Sequence, residues 1–175
     1  YSHLFFADCP MDRALSRNAT SPPIPVPRYY PGDGATVSDL LRHADAFRAA
    51  ALALLESGRK GAPSSWAPFG LCAIHAVELY LNGLLQHRGA TPSQIRGMQH
   101  DLAARTSLAV EKGLVLRKKT AAHLAAMHET REYLILRYGP EMISKMSQIN
   151  RLKATLEEVA ERVAAQCLPR TSAAA

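Results

Sequence analysis

Between Ala67 and His87 the chain carries apolar side chains on almost every side of a prospective helix: Phe69, Leu71, Cys72, Ile74, Val77, Leu79, Leu81, Leu84 and Leu85. A helix that is hydrophobic nearly all round is a central one, wrapped by others. The segment therefore predicts a helical bundle built around it. Its polar interruptions, His75, Glu78 and Asn82, fall at steps of three and four and so share one face. An unpaired buried carboxylate is costly, so that polar line needs partners.

The rest of the chain supplies the wrapping helices. Thr36 and Asp39 form a capping-box pair ahead of Val37, Leu40, Leu41, Ala44, Phe47, Ala51, Leu54 and Leu55, one apolar stripe closed by Gly58 as the C′ residue. Residues 59–65 and 89–99 read as loops. A short third helix runs from Asp101, its cap, to Lys112, with Gly113 behind it. A fourth spans 118–138 and stops at Gly139-Pro140, and a fifth spans 141–167. In the fifth, Met142, Ile149, Leu156 and Val163 repeat every seven residues, an a/d seam suited to another helix. No segment alternates like a strand. The expected class is all-α, an up-and-down bundle of four to five helices over 36–168. A proline-rich arm, 1–35, precedes it and a tail, 169–175, follows; six of the eleven prolines fall in residues 7–35.

With 175 residues the chain suits one domain. No run reaches the roughly 18 apolar residues that cross a bilayer, so no membrane role is expected. Cys9, Cys72 and Cys167 match no metal-ligand spacing. Their odd number, and an opening Tyr1–Phe6 too short for a secretion signal, point to the cytoplasm. Of the net charge of +6, residues 86–119 hold +5: Arg88, Arg96, Arg105, Lys112, Arg117, Lys118 and Lys119 stand against Asp101 and Glu111. A basic patch of that kind attracts phosphate backbones or acidic proteins.

The stretch Ala67–Leu85, then Arg88-Gly89, then His100-Asp101-Leu102, with Arg137-Tyr138 beyond, resembles the HEPN family of prokaryotic helical-bundle proteins. Related members occur beside nucleotidyltransferases or in toxin–antitoxin operons. The likeness covers roughly residues 67–140, and Asn82 stands where a Lys is usual. It implies a homodimer and a non-catalytic interaction module that pairs with a nucleotidyltransferase-like protein.

The alternative that the resemblance implies is a metal-independent endoribonuclease. The family's catalytic signature, an Arg and a His four to six residues on, matches Arg117 and His123, though Lys118 follows the Arg where active members carry Asn, Asp or His. An imidazole near its ordinary pKa of about 6.5 can take a proton from a ribose 2′-OH. A guanidinium can balance charge growing on the phosphate. No cofactor and no metal are expected: the paired Glu-x-x-His motifs of di-iron bundles are absent. His75, Glu78 and Asn82 are expected to form a buried network that anchors either the His100-Asp101 turn or Arg137. No serine-centred elbow or Cys–His pairing is apparent, and the aromatic residues form no base-stacking platform.

Overall fold

The structure, a computed structural model, describes residues 30–167. The tail and all but the last six residues of the arm lie outside the described residues. Seven α-helices follow in order: α1 Val37–Leu54, α2 Ala67–His87, α3 Pro92–Gly97, α4 Leu102–Glu111, α5 Lys118–Glu129, α6 Glu132–Tyr138 and α7 Ile149–Cys167. Short 3-10 turns lie at Leu55–Ser57, Pro63–Trp66 and Pro140–Lys145. The described residues are all-α, with one isolated bridge between Arg59 and Ala62.

Helix α2 is the centre. Phe69, Val77, Tyr80, Leu81, Leu84 and Leu85 on it are fully enclosed, and α1 and α7 lie along it. With the turn before it, over Pro63–His87, it is long and apolar enough to cross a membrane by length and composition alone, although His75, Glu78 and Asn82 interrupt the apolar run. Within the fold 67% of its apolar window is buried, as a central bundle helix requires. Gly83 lets α1 approach closely, since a Cβ there would stand 2.9 Å from the Leu41 side chain.

Both ends of α1 obey local chemistry, in different ways. Thr36 Oγ1 accepts from the Asp39 amide at 3.1 Å, and Asp39 accepts from the Thr36 amide at 3.0 Å, completing the capping box. Gly58 does not close the helix in the left-handed form; its φ is −71° after a 3-10 turn. Glycine is required there because the Trp66 indole lies where a Cβ would go, 2.0 Å away.

Three expected boundaries change. The 89–99 loop contains α3, opened by a capping box between Thr91 and Gln94. The single helix expected over 118–138 breaks into α5 and α6 at Arg131, whose φ of 53° is left-handed. That break turns Glu132 inward, to 3% exposure. The helix expected over 141–167 begins only at Ile149, and Met142 lies on the preceding 3-10 turn, 36% exposed. Leu152, Leu156, Val159 and Val163 are buried in the chain's own core beside α2.

Candidate functional site

The polar line of α2 finds its partners on the next elements. Glu78 is 9% exposed. Its Oε2 lies 3.2 Å from His100 Nδ1, and its Oε1 lies 3.2 Å from an Arg105 Nη. Arg105 also donates from Nε to Asn82 Oδ1 at 2.8 Å, and to the carbonyls of Ile95, Met98 and Asp101 at 3.4 Å. The Arg105 side chain is only 3% exposed, so it is removed from the expected basic patch: its charge is spent inside the bundle. Burial pulls its pKa down, and Glu78 and Asp101 pull it back up.

Of the two anchoring partners left open, the network holds the His100-Asp101 turn. Asp101 Oδ1 accepts from the Ala104 amide at 2.8 Å and caps α4. It also stands 3.2 Å from His128 Nδ1, an ion pair when that imidazole is protonated. The His100 ring lies tilted beside Tyr133, centroids 5.1 Å apart, after Gln99 with its positive φ of 46°. Arg137 is exposed at the end of α6, and its positive charge helps burial to lower the His75 pKa. His75 faces α1 instead, edge-on to Phe47 at 4.4 Å and to His43 at 6.3 Å. Burial lowers its pKa, against an opposing pull from Glu78.

Arg117 and His123 are held in different settings. Arg117 is the N-cap of α5; its amide donates to Glu158 Oε1 at 2.7 Å, and its guanidinium Nε lies 3.8 Å from Glu158 Oε2. That side chain is 75% exposed. His123 is half-buried. Its Nδ1 lies 2.8 Å from Thr155 Oγ1 and its Nε2 lies 2.7 Å from Ser147 Oγ. Ser147 in turn is gripped by Glu132, whose Oε1 accepts from the Ser147 amide at 3.0 Å and from its hydroxyl at 2.6 Å. Burial, helped by the nearby Arg151 guanidinium, pushes the His123 pKa down to about 4. At about 100° per residue, six positions set Arg117 and His123 about 120° apart around α5. Among the described residues no hydrogen bond or ion pair joins them, and the cation that His123 senses is Arg151.

The remaining basic residues divide by setting. Arg96 pairs with Asp33 at 2.5 Å. Arg88 caps the end of α2 and reaches Gln166 at 3.0 Å, while Lys112 donates to the Arg88 carbonyl at 3.3 Å. Cations at helix C-termini are ordinary, because they offset the negative end of the dipole. Arg117, Lys118 and Lys119 are the opposite case. All three are exposed at the N-terminus of α5, whose first turn holds no acidic residue.

Among the described residues, no group of three or more His, Cys, Asp or Glu side chains is arranged to hold a metal ion. Burial raises the pKa of the free thiols Cys72 and Cys167, which disfavours the reactive thiolate.

Sequence reading missed Ser147, Thr155, Glu132 and Glu158 as site components. Two of them carried a signal: Thr155 and Glu158 interrupt the buried face of α7 beside Leu152, Leu156 and Val159. A search against protein-family models, curated proteins and solved structures finds no match to this chain in any of the three.

Proposed function

We propose that this chain is a HEPN-like interaction module of a prokaryotic toxin–antitoxin or stress system, working in the cytoplasm as a homodimer. It binds an acidic, nucleotidyltransferase-like protein partner and does not use Arg117 and His123 for catalysis. The observation that carries this reading is the placement of Arg117, Lys118 and Lys119, all exposed, at the positive end of α5, where the buried Glu158 carboxylate bonds the Arg117 amide and the Thr120 hydroxyl. Three cations there work against the helix dipole, a local cost that an anionic partner would relieve. Val110 at 47% exposure and Val115 at 69% flank Lys112 and Arg117 in the chain. Apolar side chains set among cations suit a protein surface better than a bare phosphate backbone.

The ribonuclease alternative is disfavoured by the state of His123. Both ring nitrogens are engaged, and a base with a pKa of about 4 has little drive to take a ribose proton. The test is co-purification of the full chain with a nucleotidyltransferase-like protein encoded beside it. The native chain is expected to retain that partner at low salt and release it at high salt, and Arg117→Glu/Lys118→Glu/Lys119→Glu is expected to lose it. Unchanged retention by the triple variant overturns the reading. So does tight, salt-sensitive binding of single-stranded RNA that the triple variant abolishes, with no protein retained.

A further inference from the structure

Between the turn that leads into α2 and the segment that leads into α7 lies a cavity of about 260 Å³. Trp66, Gly70, Ile143, Met146 and Leu152 make its walls largely apolar. The benzo ring of the Trp66 indole is seated against Gly58, in the space that a Cβ would need. An engineered apolar cavity of about 150 Å³ takes benzene, so this one has room for a phenyl ring and a short chain. Among the described residues no charged side chain lines it.

The polar side of the cavity is the start of α7, through Gln148 and Ile149. The first intrahelical amide bond of α7 is Leu152 N–H to Gln148 O, at 3.0 Å. Among the described residues no carbonyl or side chain accepts from the amides of Ile149, Asn150 and Arg151. No acidic residue stands in the first turn, so the positive end of this 19-residue helix lacks a compensating charge. Ser147 also lines the cavity, but its hydroxyl is committed: it donates to Glu132 Oε1 at 2.6 Å and accepts from His123 Nε2 at 2.7 Å. Glu132 is only 3% exposed and does not line the cavity. Two exposed lysines adjoin the lining in the chain, from separate segments: Lys60 precedes Gly61, and Lys145 lies between Ser144 and Met146. Apolar walls, free amide donors and flanking cations complement an anion with an apolar body. A carboxylate suits them better than a phosphate, because no arginine fork is among the lining residues described.

We infer that this cavity binds a small carboxylic acid with an aryl or short aliphatic body. The body lies against Trp66, Met146 and Leu152, and the carboxylate accepts from the first amides of α7. The inference does not rest on the partner-binding reading, since it uses none of Arg117, Lys118 and Lys119. The apolar walls supply affinity to any occupant of this shape. The helix start supplies the choice of charge: a neutral alcohol of the same body keeps the first contribution and loses the second, and an ammonium is repelled.

The experiment follows the emission of Trp66, the only tryptophan in the sequence, as the full chain is titrated with phenylbutyrate, and with phenylbutanol and phenylbutylamine of the same chain length. The expected result is a saturable change with the acid, binding of the alcohol at least about tenfold weaker, and binding of the amine weaker still. Gln148→Asp sets a capping carboxylate before the same amides. It is expected to raise the thermal midpoint and to weaken binding of the acid at least about tenfold, with the alcohol nearly unaffected. Because the acid, alcohol and amine are compared on the native chain, that result stands even where the variant folds poorly. Absence of a saturable change with the acid, or equal affinity for the acid and the alcohol, overturns the assignment. So does a folded Gln148→Asp chain that binds the acid as the native chain does.

Discussion

Arg105 illustrates how a single side chain changes meaning with burial. Counted along the chain it belongs to a basic run; in the fold its guanidinium neutralises Glu78 and ties α2 to the start of α4. Removing one member of a buried ion pair costs about 3–5 kcal/mol, because the other is left uncompensated. Arg105→Met is therefore expected to lower unfolding stability by that order in urea titrations, and Glu78→Leu/Arg105→Met to recover most of the loss. His123 gives a prediction in pH. Its ordinary pKa of 6.5 falls to about 4 in the fold, so between those values the unfolded chain binds more protons. The stability it contributes is fully present above about 6.5 and is lost as pH falls toward 4. Glu132, whose pKa burial raises, acts in the opposite sense, stabilising the fold at low pH and losing that contribution as pH rises. The clean comparison is the urea midpoint at pH 7 and pH 5 for the native chain and His123→Gln, which is expected to show the smaller drop. At this scale Asp101 was legible as a cap because capping is decided within three residues. Arg105 was not, although it shares a helix face with the buried Leu102 and Ala109, because counting charge ignores which face a residue occupies.

Helix starts were the most readable elements, since Thr36 with Asp39 and Asp101 with Ala104 are local chemistry. Thr36→Ala is expected to cost about 1 kcal/mol in chemical denaturation. Helix breaks were less readable. Nothing between Glu129 and Tyr133 is a glycine or proline, yet α5 stops there. The cause lies outside the segment: Glu132 turns inward to hold Ser147, fifteen residues on, and the chain adopts a left-handed conformation at Arg131 to allow it. A non-glycine residue in that conformation costs about 1–2 kcal/mol. Glycine pays a smaller entropic penalty, so Arg131→Gly is expected to stabilise the fold by under about 1 kcal/mol. A loss of stability would mean that the Arg131 side chain matters more than its backbone.

For the whole molecule, the all-α class followed from the all-round apolar Ala67–His87 segment together with the absence of any strand-like alternation elsewhere. The seven-residue seam was read as packing on another helix, and from Leu152 onward it does so within the chain. Leu152, Leu156, Val159 and Val163 are buried beside α2 of the same chain, so a dimer has to use another face. The proposed dimer is expected to show twice the chain mass by light scattering in solution. Charge, too, is organised at this scale. Arg105 is internal, Arg96 is paired with Asp33, Arg88 and Lys112 sit at helix C-termini, and Arg117, Lys118 and Lys119 stand exposed at the start of α5. The central claim is that this cationic helix start recruits a partner and is not half of a ribonuclease. The most direct measurement is RNA cleavage by the purified full chain in EDTA, beside His123→Ala prepared identically. The account predicts intact RNA with both proteins; cleavage by the native chain that leaves 2′,3′-cyclic phosphate ends and disappears in His123→Ala would contradict it.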